Sequence, residues 1–175
     1  MADIAELVEV IERDNRVALS KLLQRGGIDF DVDVEIDEEG LDEPEEMPLL
    51  FWLVMKGVDL EVIEMLVDAG MRLDHYSREG LGVVDIAIKF RRRDVLEYCM
   101  ERGFSVIETK RKSGMTPLMQ AAAFGDMEMV QFLLSHGADP FGRDSYGMNA
   151  GDYARRLGYE SVYLFFEKLA EDRES

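Results

Sequence analysis

The feature that most constrains the fold of this chain is a repeat with a period of 33 to 34 residues. Residues 114–118 align with residues 147–151 at an offset of 33, and an offset of 34 carries Gly137 onto Gly103. At the N-terminus, Gly26 lies 111 residues before Gly137. Self-similarity at a fixed period predicts a stack of similar units, each of which buries its apolar face against its neighbours.

The best-formed copy predicts a pair of helices. Thr116 and Pro117 suit a helix N-terminus, because Thr caps free N–H groups and Pro is preorganised for the first helical position. Gly125 breaks this helix, and Gly137 favours the left-handed backbone that ends a second one. The second helix carries one apolar face, formed by Met127, Val130, Leu133 and Leu134.

The stretch from Ser113 to Asp139 resembles the consensus of the ankyrin-repeat family, with Met119 where that family usually has the His of Thr-Pro-Leu-His. The resemblance implies an all-α solenoid of helix-turn-helix units joined by β-hairpin-like fingers. Weaker copies extend it to a single domain over residues 1–175. The expected units lie near 3–26, 47–70, 80–103, 114–137 and 147–170. The first and last are expected to be caps.

An acidic insertion follows the first unit. Residues 29–46 hold eleven carboxylates and no Lys or Arg. Residues 29–37 alternate acidic and apolar side chains, which predicts an extended strand with one face packed. The segment reads as a solvated finger, a contact element for a basic partner, or an acidic mimic of nucleic acid.

Calcium binding by this segment is an alternative. Its acidic residues resemble the first ligands of an EF-hand loop, namely Asp29, Asp31, Asp33 and Glu35. However, Val34 stands where that loop needs Gly, and Gly40 stands where it needs a bidentate Glu. A metal-responsive regulator therefore remains the second hypothesis, and we predict no metal site or other cofactor.

Net charge limits the class of partner. At −17, the chain repels nucleic acid and anionic membranes and attracts a basic protein. Two basic clusters interrupt the acidity, Lys89 with residues 91–93, and residues 110–112. In an ankyrin unit they lie at opposite edges, so we expect local charge balance rather than a nucleic-acid site.

Catalytic chemistry has little support in the sequence. Cys99 aligns with Leu133 of the apolar face, which predicts an inert buried thiol. His75 and His136 lack a neighbouring nucleophile motif, and no phosphate-binding or dinucleotide-binding glycine pattern occurs. The N-terminus does not resemble a signal peptide, and the longest apolar run, residues 47–55, is too short to span a bilayer. We expect a soluble, cytoplasmic protein that is not an enzyme.

The predicted function is a non-catalytic protein–protein interaction module, monomeric when free, whose partner is a protein with a basic surface. An immunity or inhibitor protein is one concrete form, and a self-associating scaffold is a further alternative. The family binds partners along its finger tips and the exposed side of its first helices. Carried over, this gives Arg78, Glu79, Leu81, Lys89, Phe90, Lys112, Ser113, Met115, Ala123, Phe124, Tyr146, Met148, Arg156 and Leu157. The insertion adds Asp31, Asp33, Glu35 and Asp37.

Trp52 marks a departure from the repeat. It stands where the other units have a small alanine, so we expect the first helix of the second unit to be two residues longer. The indole is expected to fill space beneath the acidic insertion.

Overall fold

A computed structural model of the chain describes residues 4–36 and 45–175, so Asp37 lies outside the described residues. Within these ranges the chain forms ten helices and one two-stranded antiparallel sheet. The helices are α1 (Ile4–Glu12), α2 (Arg16–Arg25), α3 (Leu49–Met55), α4 (Leu60–Asp68), α5 (Val83–Lys89), α6 (Arg93–Glu101), α7 (Pro117–Ala123), α8 (Met127–Ser135), α9 (Ala150–Arg156) and α10 (Glu160–Glu174). The strands are β1 (Asp33–Ile36) and β2 (Glu45–Pro48).

The helices form five successive pairs, each joined by a turn of three or four residues. The first four pairs fall within the predicted repeat units, and the fifth begins within its unit but continues to Glu174. The predicted all-α solenoid architecture is confirmed. The chain divides into two compact units, Met1–His75 with the first two pairs and Tyr76–Ser175 with the other three. That the five pairs form a single domain stays a prediction.

In Met1–His75 the core is built from one face of α1, α2 and α4 and from nearly all of α3, in which every residue from Leu49 to Val54 is buried. The largest fully buried side chains are Leu7, Leu19, Leu22, Leu49, Leu53, Ile63 and Leu66. Asn15 begins α2, because its side-chain oxygen accepts a hydrogen bond of 3.0 Å from the backbone N–H of Ala18.

The predicted lengthening of the second unit's first helix is wrong. α3 has seven residues, as do α5, α7 and α9, and the additional residue lies in the turn between α3 and α4. Leu53, rather than Trp52, therefore occupies the position of Ala121. Trp52 lines a cavity of about 460 Å³ with Ile11 of α1 and Lys56. This cavity lies at the end of α3 opposite from β2.

The acidic insertion contains a hairpin. β1 pairs with β2 in a register that places Asp33 opposite Pro48 and Glu35 opposite Glu46. The alternation predicted from the sequence is confirmed over β1, because Glu35 is exposed and Val34 is half-buried. Residues 29–32 are not part of the strand, so the predicted extended segment is shorter than expected.

In Tyr76–Ser175 the first helices pack through small residues. Ala87, Ala121 and Ala154 occupy the same position in α5, α7 and α9, and all three are fully buried. Small side chains let neighbouring helices approach closely. Thr116 begins α7 as predicted, because its Oγ1 accepts a hydrogen bond from Met119 N–H at 3.3 Å.

The fingers, which are the connections between successive helix pairs, are joined edge to edge. Lys112 N–H donates to the carbonyl of Glu79 at 3.1 Å, and Ser145 N–H donates to the carbonyl of Ser113 at 2.9 Å. Gly80 has a φ of +84°, and a Cβ there would lie 2.0 Å from the carbonyl oxygen of Lys110. Glycine is therefore required where these two fingers meet.

Candidate protein-binding surfaces

The predicted partner-binding residues of Tyr76–Ser175 fall into two groups at opposite ends of the first helices. A seven-residue helix is about 10 Å long, so the backbones of the two groups are separated by roughly that distance. The side chain of Arg156 spans this distance and reaches Met148. The finger group comprises Arg78, Glu79, Leu81, Lys112, Ser113, Met115, Tyr146 and Met148. The second group, at the C-terminal ends of the first helices, comprises Lys89, Phe90, Ala123, Phe124, Arg156 and Leu157.

Three large apolar residues occupy equivalent positions one repeat apart. Phe90, Phe124 and Leu157 are the C-cap residues of α5, α7 and α9; we name them the C-cap row. Phe124 is 37% exposed and Leu157 is 54% exposed, while Phe90 is half-buried. Exposed apolar side chains at matched repeat positions are typical anchors for a protein partner.

Tyr146 lies at the tip of a finger and is 76% exposed. A buried carboxylate holds its backbone in place, because Tyr146 N–H and Met148 N–H donate to Oδ1 of Asp144 at 2.9 and 3.0 Å. The hydroxyl of Tyr153 donates to Oδ2 of the same carboxylate. Neither Asp144 nor Tyr153 is predicted from the sequence, although the Asp-x-x-Gly spacing of residues 144–147 is a turn signal.

Hydrogen bonding makes Asp144 a stronger acid. Burial acts to raise the pKa of its carboxyl group, but the bonds from Tyr153, Met148 and Tyr146 outweigh burial and lower the pKa. Burial, together with the bond to Asp144, raises the pKa of Tyr153 to about 12. The carboxylate is therefore ionised at neutral pH and works as a structural acceptor rather than a catalytic group.

The remaining apolar finger residues are only half-exposed. Arginine side chains cover two of them: Nη1 of Arg111 lies 3.0 Å from Sδ of Met115, and Nη1 of Arg156 lies 3.7 Å from Sδ of Met148. Leu81 is half-buried as well. These residues contribute area to the finger surface, whereas Tyr146 is its exposed anchor.

Ion pairs account for much of the two basic clusters. Arg91 lies 3.5 Å from Asp126, and Arg93 lies 2.9 Å from Glu97. In the second cluster Lys112 lies 3.5 Å from the carboxylate of Glu79. The predicted local charge balance is confirmed at these positions.

In Met1–His75 the predicted acidic residues lie on the insertion. Asp33 and Glu35 are exposed, and Oδ1 of Asp31 lies 3.3 Å from Nδ1 of His75. The parts of the chain that the structure describes contain no group of three or more His, Cys, Asp or Glu side chains arranged to hold a metal ion.

The acidity of the chain is not evenly distributed. Residues 1–75 contain 21 Asp and Glu against six Lys and Arg, whereas residues 76–175 contain 16 against 14. The net charge of −17 therefore belongs almost entirely to Met1–His75. The predicted finger and C-cap residues lie in Tyr76–Ser175, which is nearly neutral.

The sulfur and imidazole groups have structural environments. Cys99 is fully buried, and burial raises the pKa of its thiol to about 12. His136 ends α8, and its Nδ1 lies 2.8 Å from the carbonyl oxygen of Phe132. Among the described helices, none combines the length and the apolar character needed to cross a bilayer.

Comparison with known proteins identifies the repeat. A family profile described as "Ankyrin repeats (many copies)" matches residues 84–134. A putative ankyrin repeat-containing protein of Treponema pallidum is 27% identical over 141 residues, which cover 81% of this chain and 42% of that protein. The putative ankyrin repeat protein YahD of Escherichia coli is 30% identical over 110 residues, which cover 59% of this chain and 54% of that protein. Palmitoyltransferase AKR1 of Lachancea kluyveri is 26% identical over 117 residues, which cover 65% of this chain and 16% of that protein.

The chain thus spans about half or less of the length of these relatives. The profile match runs across α5 to α8, where the sequence repeat is best formed. Taken with the helix pairs and the fingers, these similarities identify residues 84–134 as ankyrin repeats and show that the chain is similar to ankyrin-repeat proteins.

Proposed function

We propose that this chain is a non-catalytic domain that binds another protein through the fingers and the C-cap row of Tyr76–Ser175. Ankyrin repeats bind other proteins, and the observation that carries the proposal is the exposure of Tyr146, Phe124 and Leu157. These side chains sit at repeat positions that packing does not require, and aromatic side chains of this kind supply much of the binding energy at protein interfaces.

A second contact surface in this proposal is the acidic hairpin of Met1–His75. Glu35 lies directly opposite Glu46, and like charges in that position destabilise a hairpin. A basic protein placed against this face would relieve the repulsion. An inhibitor or immunity protein that covers a basic toxin is one form of this function, acting as a cytoplasmic monomer.

We propose a non-catalytic function because the reactive side chains of the described residues have structural environments. The thiol of Cys99 is buried and protonated at neutral pH, and the imidazole of His136 contacts a backbone carbonyl. The similarity to a palmitoyltransferase covers only 16% of that protein.

Capture from a lysate with matched variants tests the proposal. We expect Phe124→Ala and Tyr146→Ala to reduce recovery of a captured protein, because each removes an exposed anchor. Leu164→Ala is the control, since Leu164 is 55% exposed on α10, away from both groups. Recovery that is equal for all three variants would show that the contact surface is wrong.

The acidic hairpin is tested separately by charge reversal. We expect Asp33→Lys with Glu35→Lys to weaken recovery of a basic protein. Glu171→Lys with Glu174→Lys changes the net charge equally on α10 and serves as the control. Equal loss in both double variants would mean that only net charge matters, and the hairpin would not be a contact surface.

A further inference from the structure

Charged residues are segregated within Tyr76–Ser175. The second helices of the three pairs, α6, α8 and α10, carry nine Asp and Glu but only three Lys and Arg. The fingers, first helices and turns of the same unit carry eleven Lys and Arg against seven Asp and Glu. Three of those seven carboxylates, of Asp85, Asp126 and Asp144, are buried. The segments that carry the predicted partner-binding residues therefore have more cations than carboxylates, although the whole chain is acidic.

Two cations of these segments lie over aromatic rings. Lys89 lies 5.4 Å from the ring centroid of Phe90, and Lys110 lies 4.4 Å from that of Tyr76. Neither cation forms an ion pair with a carboxylate in residues 4–36 or 45–175. Their charge is available to a ligand.

Apolar and cationic groups are interleaved along the C-cap row. Phe90 is flanked in sequence by Lys89 and Arg91, and Leu157 follows Arg156. All three of these cations are exposed.

Arg91 pairs with Asp126, and the guanidinium of Arg156 lies 3.7 Å from Sδ of Met148. Within the described residues, Lys89 is thus the cation beside the row that has neither kind of contact. A ligand that covers the row therefore meets positive charge next to apolar surface.

We propose that this face binds an acidic segment of a protein partner in which carboxylates alternate with apolar side chains. The inference rests on the proposed binding function and names the chemistry of the partner there. Charge complementarity selects this occupant, because a basic segment would bring cations against Lys89 and Arg156.

Fluorescence anisotropy with the full chain tests the inference. The probe is a short labelled peptide in which Glu alternates with Leu and Phe, and the matched peptides carry Gln or Lys in place of Glu. We expect the Glu peptide to bind at least about tenfold more tightly than the Lys peptide, with an affinity that falls as salt rises.

Charge-reversal variants locate the site. Lys89→Glu with Arg156→Glu should weaken the Glu peptide by about tenfold or more. Lys168→Glu with Arg173→Glu on α10 has the same net charge and should leave binding within about twofold. Equal weakening by the two double variants, or equal binding of the Glu and Lys peptides, would overturn the inference.

The outcomes separate this inference from the proposed function. If Phe124→Ala weakens binding of a captured protein but Lys89→Glu with Arg156→Glu does not, the surface is a binding site and its partner is not acidic. If neither change has an effect, both proposals fail. A third outcome is that the chain forms a dimer that is lost when residues 29–46 are deleted. In that case the acidic segment bound by this face would come from a second copy of the chain, and the inference that it comes from another protein would be overturned.

Discussion

Three glycines at the same position of successive fingers allow the contact between fingers to be measured. Gly80, Gly114 and Gly147 have φ values of +84°, +72° and +74°. Replacement by Ala costs about 1–2 kcal/mol at each position, because an L-residue is strained in left-handed backbone. The three positions differ in what the added methyl group would meet.

At Gly147 the methyl group would meet nothing within 4 Å, and at Gly114 it would lie 3.5 Å from the Cα of Asp144, an ordinary contact. At Gly80 it would lie 2.0 Å from the carbonyl oxygen of Lys110 and 2.9 Å from the Cα of Arg111. These are backbone atoms, so a rotamer change cannot relieve the overlap. Overpacking of this kind costs typically 1–3 kcal/mol. We therefore expect Gly80→Ala to destabilise the chain by about 2 kcal/mol more than Gly147→Ala.

Urea unfolding followed by far-UV circular dichroism measures this difference. With a slope of about 1–2 kcal/mol per molar urea, the additional 2 kcal/mol lowers the midpoint by roughly 1–2 M. Trp52 is the only tryptophan of the chain and lies in Met1–His75, so its fluorescence reports that unit separately. If the three Ala variants unfold at the same urea concentration, the close contact between Gly80 and the backbone of Lys110 is contradicted.

Three further predictions follow from single contacts. Thr116→Ala should destabilise the chain by about 1 kcal/mol, because the cap at the start of α7 is lost; a thermal or urea midpoint measures it. Cys99 should react with a thiol reagent far more slowly in the native chain than in urea, and equal rates would contradict its burial. Hydrogen bonds from Tyr153 and two backbone N–H groups lower the pKa of Asp144 in the folded chain. The contribution of this carboxylate to the free energy of unfolding is therefore complete above its unfolded pKa of about 3.9, and it is lost as the pH falls through the folded pKa. The loss in free energy of unfolding caused by Asp144→Asn should therefore shrink in acid, and a loss that is constant with pH would contradict the role of the charge.

The helix pairs of the second unit could be predicted because their signals are local. Thr116 and Pro117 begin a helix through their own side chains, and Gly137 ends one through its own backbone freedom. Nothing distant is needed to read these positions.

The error at Trp52 has a physical origin in Pro48. Proline suits the first position of a helix, as Pro117 does, but it also suits the end of a strand. In the structure Pro48 lies opposite Asp33 in the hairpin and precedes α3 with φ −51° and ψ 136°. Treating it as a helical residue shifted the alignment by one and assigned the alanine position to Trp52 instead of Leu53. Only the pairing with β1 distinguishes the two uses of proline.

The contacts that hold the candidate site in place could not be predicted from the sequence, because they also depend on residues that are distant along the chain. Asp144 and Tyr153 are nine residues apart, and their contact depends on how a finger folds over the first turn of α9. The opposition of Glu35 and Glu46 depends on the register of two strands. Composition counts such groups, but only a fold brings them together.

The difference between composition and spatial arrangement matters most for charge. A net charge of −17, taken for the whole chain, predicts a basic partner for every surface. Divided between the two units, the same residues leave Tyr76–Ser175 with 16 carboxylates and 14 cations, and its acidic side chains lie mainly on second helices. A partner experiences the charges within about one Debye length of its contact, so the local balance decides which partner binds. We therefore propose that the acidic hairpin and the C-cap row bind two partners, or two parts of one partner, whose charges are opposite to each other.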